Sequence, residues 1–313
     1  MQFLRFLAVH RTPALNFMME VFTQFGAELL FMVIAISVFW CVNKRQGYYL
    51  LFVGFLGTIF NQFLKLAFRI SRPWVRDPSF QPVKSAVSGA TGYSFPSGHT
   101  QNVVGTLGGI ARDTKRRWLQ IVCVAVACLT AFSRMYLGVH TPMDVGVSFA
   151  IATVLVFVMY PIVGWAVEQD RRMYLLMGLM SVLAIAYVLY SNLWHFPASI
   201  EADNLYEGRK NSFSLLGALL GMLAAYPVER KYVRFETQAV WWAQILKVAL
   251  GLLLLLAVRG GLKALLLCFL SEQSIWYLVL GAVRYGLMVF IAAAVYPRSF
   301  RYFAGLGKGR DRA

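Results

Sequence analysis

The sequence predicts an all-α, polytopic membrane helix bundle: about nine transmembrane helices behind an N-terminal interfacial helix. Three observations carry this. Hydrophobic residues make up 59% of the 313 and charged residues only 14%, whereas soluble domains hold roughly 45–50% apolar and about 25% charged. Several apolar runs reach the roughly 20 residues that cross a bilayer as a helix. Strands of alternating polarity do not recur, which argues against a transmembrane barrel.

The elements follow in order. Residues 1–25 open with MQFLRFLAVHRTP, apolar positions interrupted by Arg5 and Arg11 and no cleavable-signal pattern. This is the composition of a helix lying in the membrane surface. Nine candidate spans then cover about 26–43, 48–68, 99–116, 117–135, 142–166, 173–191, 211–227, 239–258 and 275–296. Residues 259–274 are read either as a re-entrant turn or as a continuation of the eighth helix, because Gly260-Gly261 interrupts the apolar stretch. Gly105 with Gly109, and Gly217 with Gly221, have the small-xxx-small spacing of close helix contacts. Cys41, Cys123, Cys128 and Cys268 lie in or near apolar runs without metal-ligand spacing, and are read as free thiols.

Charge sets the expected orientation. The net charge is +16, and most cations sit in short connections, so the excess reflects membrane topology rather than nucleic-acid binding. Lys44–Arg45, Arg112 with Lys115–Arg117, Arg171–Arg172, and Arg230–Lys231 with Arg234 fall on alternate connections. Arg298, Arg301, Lys308, Arg310 and Arg312 join them if there are nine spans. That side is predicted to be cytoplasmic. The chain contains no N-x-[ST] sequon, which favours a bacterial inner membrane. Residues 69–98 lie on the opposite face, yet hold Arg69, Arg72, Arg76 and Lys84 against Asp77 alone. Cations on that side point to an anionic ligand.

Three stretches carry the chemistry: KLAFRISRP (Lys65 to Pro73), FPSGHT (Phe95 to Thr100) and SRMYLGVHTPMD (Ser133 to Asp144). Each stands at a span end on the outer face. Lys65, Arg72 and Arg134 would repel one another in a buried site unless an anion of about two charges joined them. Arginine binds phosphate through short, bidentate hydrogen bonds. Ser97 and Gly98 precede a helix start, whose unpaired N–H groups and dipole attract anions. His99 and His140 then supply a nucleophile and a proton donor. Such a set needs no metal, and no carboxylate cluster suited to Mg²⁺ or Zn²⁺ is visible on this face. Thr141, Pro142 and Asp144 also form a capping pattern at a helix start.

In this order K-x6-RP, PSGH and SR-x5-H resemble the signature of the type-2 phosphatidic acid phosphatase family. The match covers about residues 26–166. The resemblance implies roles. His140 would be the nucleophile that becomes a phosphohistidine, and Asp144 would hold its ring in the useful tautomer. His99 would be the acid, then the base that activates water. Lys65, Arg72, Ser97, Gly98 and Arg134 would bind the phosphoryl oxygens, with no metal or other cofactor. It also implies a catalytic bundle over 26–166 and leaves 167–313 as transmembrane helices without an assigned role. The expected partners are a membrane lipid substrate and the bilayer, with the active site on the extracytoplasmic face. Undecaprenyl diphosphate, phosphatidic acid and phosphatidylglycerol phosphate present the same head chemistry. A soluble phosphate ester as substrate, a lipid-to-acceptor phosphotransferase and an anion transporter are the alternatives. The outer-loop aromatics Trp74, Phe80, Tyr93 and Phe95, with Trp194 and Phe196, are expected either to form an interfacial belt or to line a lateral entrance for lipid.

Overall fold

The computed structural model describes residues 1–306. Helices α1 (Gln2–Val9), α2 (Pro13–Gln24), α3 (Glu28–Cys41), α4 (Lys44–Phe68), α5 (Pro73–Arg76), α6 (Lys84–Val87) and α7 (Gly98–Asp113) are followed by α8 (Arg117–Tyr136), α9 (Pro142–Ala166) and α10 (Asp170–Leu193). Then come α11 (Ala202–Val228), α12 (Trp241–Phe269), α13 (Ile275–Phe290) and α14 (Phe300–Gly305), with π-helical turns at Glu229–Val233 and Ile291–Val295. No strand occurs among the described residues. The fold is the polytopic helical bundle that composition predicts. Lys308, Arg310 and Arg312, used above for orientation, lie outside the described residues.

All nine predicted spans are helical. Seven helical stretches are long and apolar enough to cross a membrane, and the bent pair α2 and α3, 45° apart, makes eight if it counts as one span. The difference from nine lies in α3 and α7. They contain 14 and 16 residues, about 21 and 24 Å at 1.5 Å per residue, against a core of about 30 Å. Helix α7 also carries His99, Gln101 and Asn102. Residues 259–269 continue the eighth predicted helix: α12 runs unbroken through Gly260 and Gly261 to Phe269.

The N-terminal segment departs from a single interfacial helix. Residues 10–12 break it into α1 and α2; Thr12 caps α2 by accepting from the Leu15 N–H (3.3 Å), and Pro13 takes its first turn. Both helices are held by protein contacts. Leu4 and Leu7 are buried. Arg11 donates to the carbonyls of Gln81 and Tyr136, and Thr130 of α8 donates to the Phe22 carbonyl (2.9 Å).

The chain divides into two compact units. The first comprises Met1–Ile34, Tyr49–Ile162 and His195–Gly208. Its core includes Val103, Val104, Ala127 and Ala152, and a second cluster joins Met19, Ala86, Tyr136, Leu137 and Val139. Gly105 and Gly109 let α7 approach α4: a Cβ at Gly109 would stand 2.6 Å from Leu50 Cδ2. Phe80, Tyr93 and Phe95 are buried inside this unit, Phe95 edge-on to Phe68 at 5.1 Å. These three pack the loop rather than forming a belt or an entrance.

The second unit comprises Ala35–Tyr48, Val163–Trp194 and the chain from Arg209. Gly217 and Gly221 bring α11 against α13, where added Cβ atoms would fall 2.0 and 2.2 Å from the carbonyl oxygens of Ala282 and Gly286. Its basic connections are neutralised locally. Lys44 pairs with buried Glu229 (2.5 Å), and Arg230 pairs with Asp170 (3.0 Å), which also accepts from Tyr226. The connections at 43–45, 167–172 and 229–234 therefore meet at one end of this unit, as the charge pattern requires.

Candidate active site

Within the first unit, a cavity of ≈ 210 Å³ is lined by Lys65, Arg72, Gly98, His99, Arg134 and His140. One water occupies about 30 Å³ of liquid, so there is room for a phosphoryl group and part of its ester. Six of the eight residues singled out from the sequence thus share one cavity, although 75 residues separate the first from the last. The other two, Ser97 and Asp144, are fully buried beside it.

Each arrives by a local cause. Helix α4 brings Lys65 on a polar stripe with Thr58, Asn61 and Gln62, the i, i+3, i+4, i+7 spacing of one helix face. Pro73 starts α5 and leaves Arg72 in extended backbone just before it. The Arg72 guanidinium is gripped by carbonyls: Nε donates to Gly92 (3.0 Å), Nη2 to Thr91 (2.6 Å) and Nη1 to Val139 (3.0 Å). Gly92 adopts a positive φ of 68°, a conformation that suits glycine. It turns the 91–92 carbonyls toward Arg72, and a Cβ there would stand 3.7 Å from Lys65 Nζ.

Ser97 caps α7. Its hydroxyl accepts from the Thr100 N–H (3.4 Å) and from Thr100 Oγ1 (3.0 Å), so its oxygen is turned to the helix start and does not line the cavity. Gly98 and His99 form the first turn of α7, with the dipole's positive end toward the cavity. The α2–α3 turn presses on this point: a Cβ at Gly26 would lie 2.7 Å from both Cβ and the carbonyl oxygen of His99. Asn102 fastens the same turn by donating to the Gly26 carbonyl (3.2 Å).

Arg134 ends α8, 2% exposed. Nη1 donates to Thr23 Oγ1 (2.6 Å), while Nε and Nη2 have no protein partner. Two buried donors on a cation without an acceptor are costly unless a ligand or water accepts from them.

His140 lies between α8 and α9. Its Nε2 is 2.9 Å from Arg72 Nη1. A guanidinium only donates, so Nε2 carries the lone pair and Nδ1 the proton. Burial foremost, then the positive charges of Arg72, Arg134 and Lys65, hold the ring well below the ordinary histidine pKa, so it is neutral. Nδ1 faces Asp144 Oδ2 at 3.6 Å, longer than a hydrogen bond. Asp144 Oδ2 accepts instead from Ser94 Oγ (2.6 Å) and the Thr141 N–H (2.7 Å). Thr141 Oγ1 accepts in return from the Asp144 N–H (3.3 Å). The predicted capping pair is therefore present, and Asp144 serves the helix start and faces the histidine at once.

Two models of one family match this chain: "PAP2 superfamily" over residues 46–168 and "PAP2 superfamily phosphatase, transmembrane extension" over residues 213–308. The chain belongs to the PAP2 superfamily. It is a membrane phosphatase of PAP2 type. The first PAP2 match takes in every residue of the cavity except Glu28, and the second lies wholly in the region that sequence motifs left blank. Among known proteins, it is 25% identical to the undecaprenyl-diphosphatase BcrC of Bacillus subtilis over 48% of this chain and 76% of that one. It is 26% identical to mouse sphingosine-1-phosphate phosphatase 1 over 80% of this chain and 61% of the relative. A crystal structure of a transmembrane PAP2-type phosphatidylglycerolphosphate phosphatase from Bacillus subtilis shares 27% identity. It covers 50% of this chain and 81% of that one, at a TM-score of 0.43.

The sequence motifs missed several residues at or beside this cavity. Ser94 and Thr23, which hold Asp144 and Arg134, carry no pattern of their own. Asn61 and Gln62 did leave a signal, the polar stripe they share with Lys65 in an otherwise apolar helix. Glu28 also lines the cavity, and an acidic residue at the head of an apolar span is a functional pointer in itself.

Proposed function

We propose that this protein hydrolyses the phosphate of a membrane lipid at the extracytoplasmic face of a bacterial inner membrane, through a phosphohistidine and without a metal. The observation that carries the reading is the Nε2 lone pair of neutral His140, on a cavity it shares with three cations and His99. Lipid phosphates and diphosphates are the substrate class, by likeness to the relatives above. The helices over 26–166 are its catalytic bundle, and those over 167–313 have no assigned role in the chemistry.

The steps balance as follows. Lys65, Arg72 and Arg134 take the non-bridging oxygens, with the Gly98 N–H at the head of α7; the Ser97 N–H is committed to the Asp144 carbonyl (3.1 Å), so Ser97 supports the helix start rather than the phosphate. Arg72 Nη1 exchanges its bond to Nε2 for one to a phosphoryl oxygen, which releases the lone pair. Nε2 attacks phosphorus, the bond from phosphorus to the ester oxygen breaks, and His99 donates its proton to that oxygen. The phosphorylated ring is a cation, and Asp144 stabilises it across Nδ1–H. His99 then takes a proton from water, the water oxygen attacks phosphorus, and the P–N bond breaks to give phosphate and free His140. In such a transfer positioning and charge do most of the work, and the three basic side chains occupy the place a divalent cation takes elsewhere.

The test is phosphate release from phosphatidic acid by purified protein in detergent. Turnover is expected to continue in saturating EDTA and to be inhibited by vanadate, and acid-labile phosphate should be trapped on His140 in a rapid quench. Loss of turnover in EDTA with recovery on Mg²⁺ refutes the metal-free reading, and failure of His140→Ala to abolish the trapped phosphate refutes the nucleophile.

A further inference from the structure

The cavity does not end at the phosphate cradle. Beyond the three cations it is walled by Glu28, Asn61 and Gln101. Asn61 and Gln101 are 3% and 4% exposed, yet Asn61 Oδ1 and both polar atoms of the Gln101 amide have no hydrogen-bond partner. Buried amides in this state await a ligand or water. The Asn61 amide nitrogen is already directed to the Pro96 carbonyl (3.4 Å), so what Asn61 offers the cavity is an acceptor.

Glu28 lies two residues after Gly26, the glycine wedged against His99. It lines the same cavity as His99, which in the lipid phosphatase reading protonates the departing ester oxygen. The cavity wall holds three basic side chains, Lys65, Arg72 and Arg134, and one acidic one, Glu28, with Asp144 buried behind His140. A phosphate monoester carries about −1.5 to −2 at neutral pH. A diphosphate brings a further anionic group.

Chemistry on the departing side separates the two substrates. A monoester leaves as an alcohol, neutral and carrying the O–H that His99 completes. A diphosphate attacked at its terminal phosphorus leaves as a phosphate monoester anion. A carboxylate and amide acceptors suit the alcohol and oppose the anion, because like charges brought together in a poorly solvated site cost several kcal/mol.

We infer that Glu28, with Asn61 and Gln101, makes this a lipid monophosphate phosphatase that rejects diphosphates, Glu28 being the residue that sets the choice. The inference rests on the lipid phosphatase reading above and narrows its substrate class. It assigns Glu28 a role in specificity, at a position outside the three motifs.

Farnesyl phosphate and farnesyl diphosphate differ only in the head group and share one detergent behaviour. The wild-type protein is expected to favour the monophosphate in kcat/KM by about tenfold or more. Glu28→Gln keeps the shape and removes the charge, and should raise the diphosphate-to-monophosphate ratio by about tenfold, whereas Gln101→Leu should lower kcat/KM for the monophosphate without raising that ratio. A wild-type preference for the diphosphate, or a ratio unmoved in a folded Glu28→Gln protein, overturns the inference and leaves the phosphatase reading standing. Should Glu28→Gln fail to fold, the wild-type ratio alone decides. Hydrolysis of neither compound, nor of phosphatidic acid, would instead overturn the lipid phosphatase reading itself.

Discussion

Arg72 donates through Nη1 to the Nε2 of His140 at 2.9 Å, with both side chains buried. The same nitrogen also donates to the Val139 carbonyl (3.0 Å), and the rest of the guanidinium is tied to Thr91 and Gly92. One planar fork thus fixes the tautomer of the proposed nucleophile and anchors the loop in front of it. A lysine cannot make this set of contacts. Arg72→Lys is therefore expected to lower kcat/KM by about a hundredfold or more, although charge is conserved. Phosphate-release kinetics on the purified variant check this; a loss under tenfold would mean that charge alone suffices.

The two histidines should not be interchangeable. His140→Ala removes the attacking atom and should abolish turnover for every ester. His99→Ala removes a proton donor, which typically contributes a factor of about 10²–10⁴. An aryl phosphate with an acidic leaving group needs little protonation, so it should partly rescue His99→Ala and leave His140→Ala inactive. Equal rescue of both variants would reverse the assignment or remove it.

Much of this site was legible in the sequence, for definite reasons. Lys65, Arg72, His99, Arg134 and His140 sit at helix ends, and charged side chains at the ends of apolar runs are conspicuous against 59% hydrophobic residues. The capping pair Thr141 and Asp144 is local, so four residues suffice to read it. Contacts made by neutral side chains across long separations were not legible. Ser94 meets Asp144 50 residues away, and Thr23 meets Arg134 111 residues away. Nothing in a lone serine or threonine marks such a partner. The break of the N-terminal segment into two helices, and its ties to the rest of the first unit, were hidden for a related reason. Arg5 and Arg11 fit a membrane surface by composition, yet they pair with Asp77 and with the carbonyls of Gln81 and Tyr136. Span counting differed only at α3 and α7, where a helix is cut short of the bilayer core.

The state of the His140 ring gives a pH test. Burial and the neighbouring cations depress its pKa, so the folded protein binds fewer protons there than the unfolded chain, whose histidine titrates near 6.5. The sign follows: this stabilising term is present above about pH 6.5 and is lost as pH falls below it toward the folded value. With ¹⁵N-histidine labelling and assignment by His140→Gln, the His140 ring should keep an unprotonated Nε2 at about pH 5.5. A ring that titrates with a midpoint at or above about 6.5 would contradict the geometry.

Orientation can be checked at two exposed positions of the first unit, Ser88 and Lys115. Cys128 and Cys268 are exposed, so all four native cysteines are first replaced by alanine. In intact cells Ser88→Cys should react with an impermeant thiol reagent, and Lys115→Cys only after lysis. The opposite pattern would place the cavity at the cytoplasmic face.

The last prediction concerns Thr23, in the segment whose role the sequence did not reveal. Its hydroxyl accepts from Arg134 Nη1 at 2.6 Å, while Nε and Nη2 of that arginine have no protein partner. Thr23 therefore fixes one corner of the guanidinium and leaves the other donors unpaired, available to the phosphoryl oxygens in the proposed mechanism. It does not line the cavity, so it is a positioning residue that acts through Arg134. Thr23→Val keeps the shape and removes the acceptor, which leaves a buried donor unpaired at a cost of roughly 1–3 kcal/mol. Part of that cost is relieved when Arg134 turns away from its site. Ground-state phosphate binding should suffer most: KM should rise by about tenfold with a smaller fall in kcat, and the Ki of inorganic phosphate should rise with it. Thr23→Ser retains the hydroxyl and should restore both constants to within about twofold. A purely structural role predicts a lower Tm with KM and Ki unchanged. That outcome, or failure of serine to rescue, would remove Thr23 from the machinery and leave α2 as packing alone.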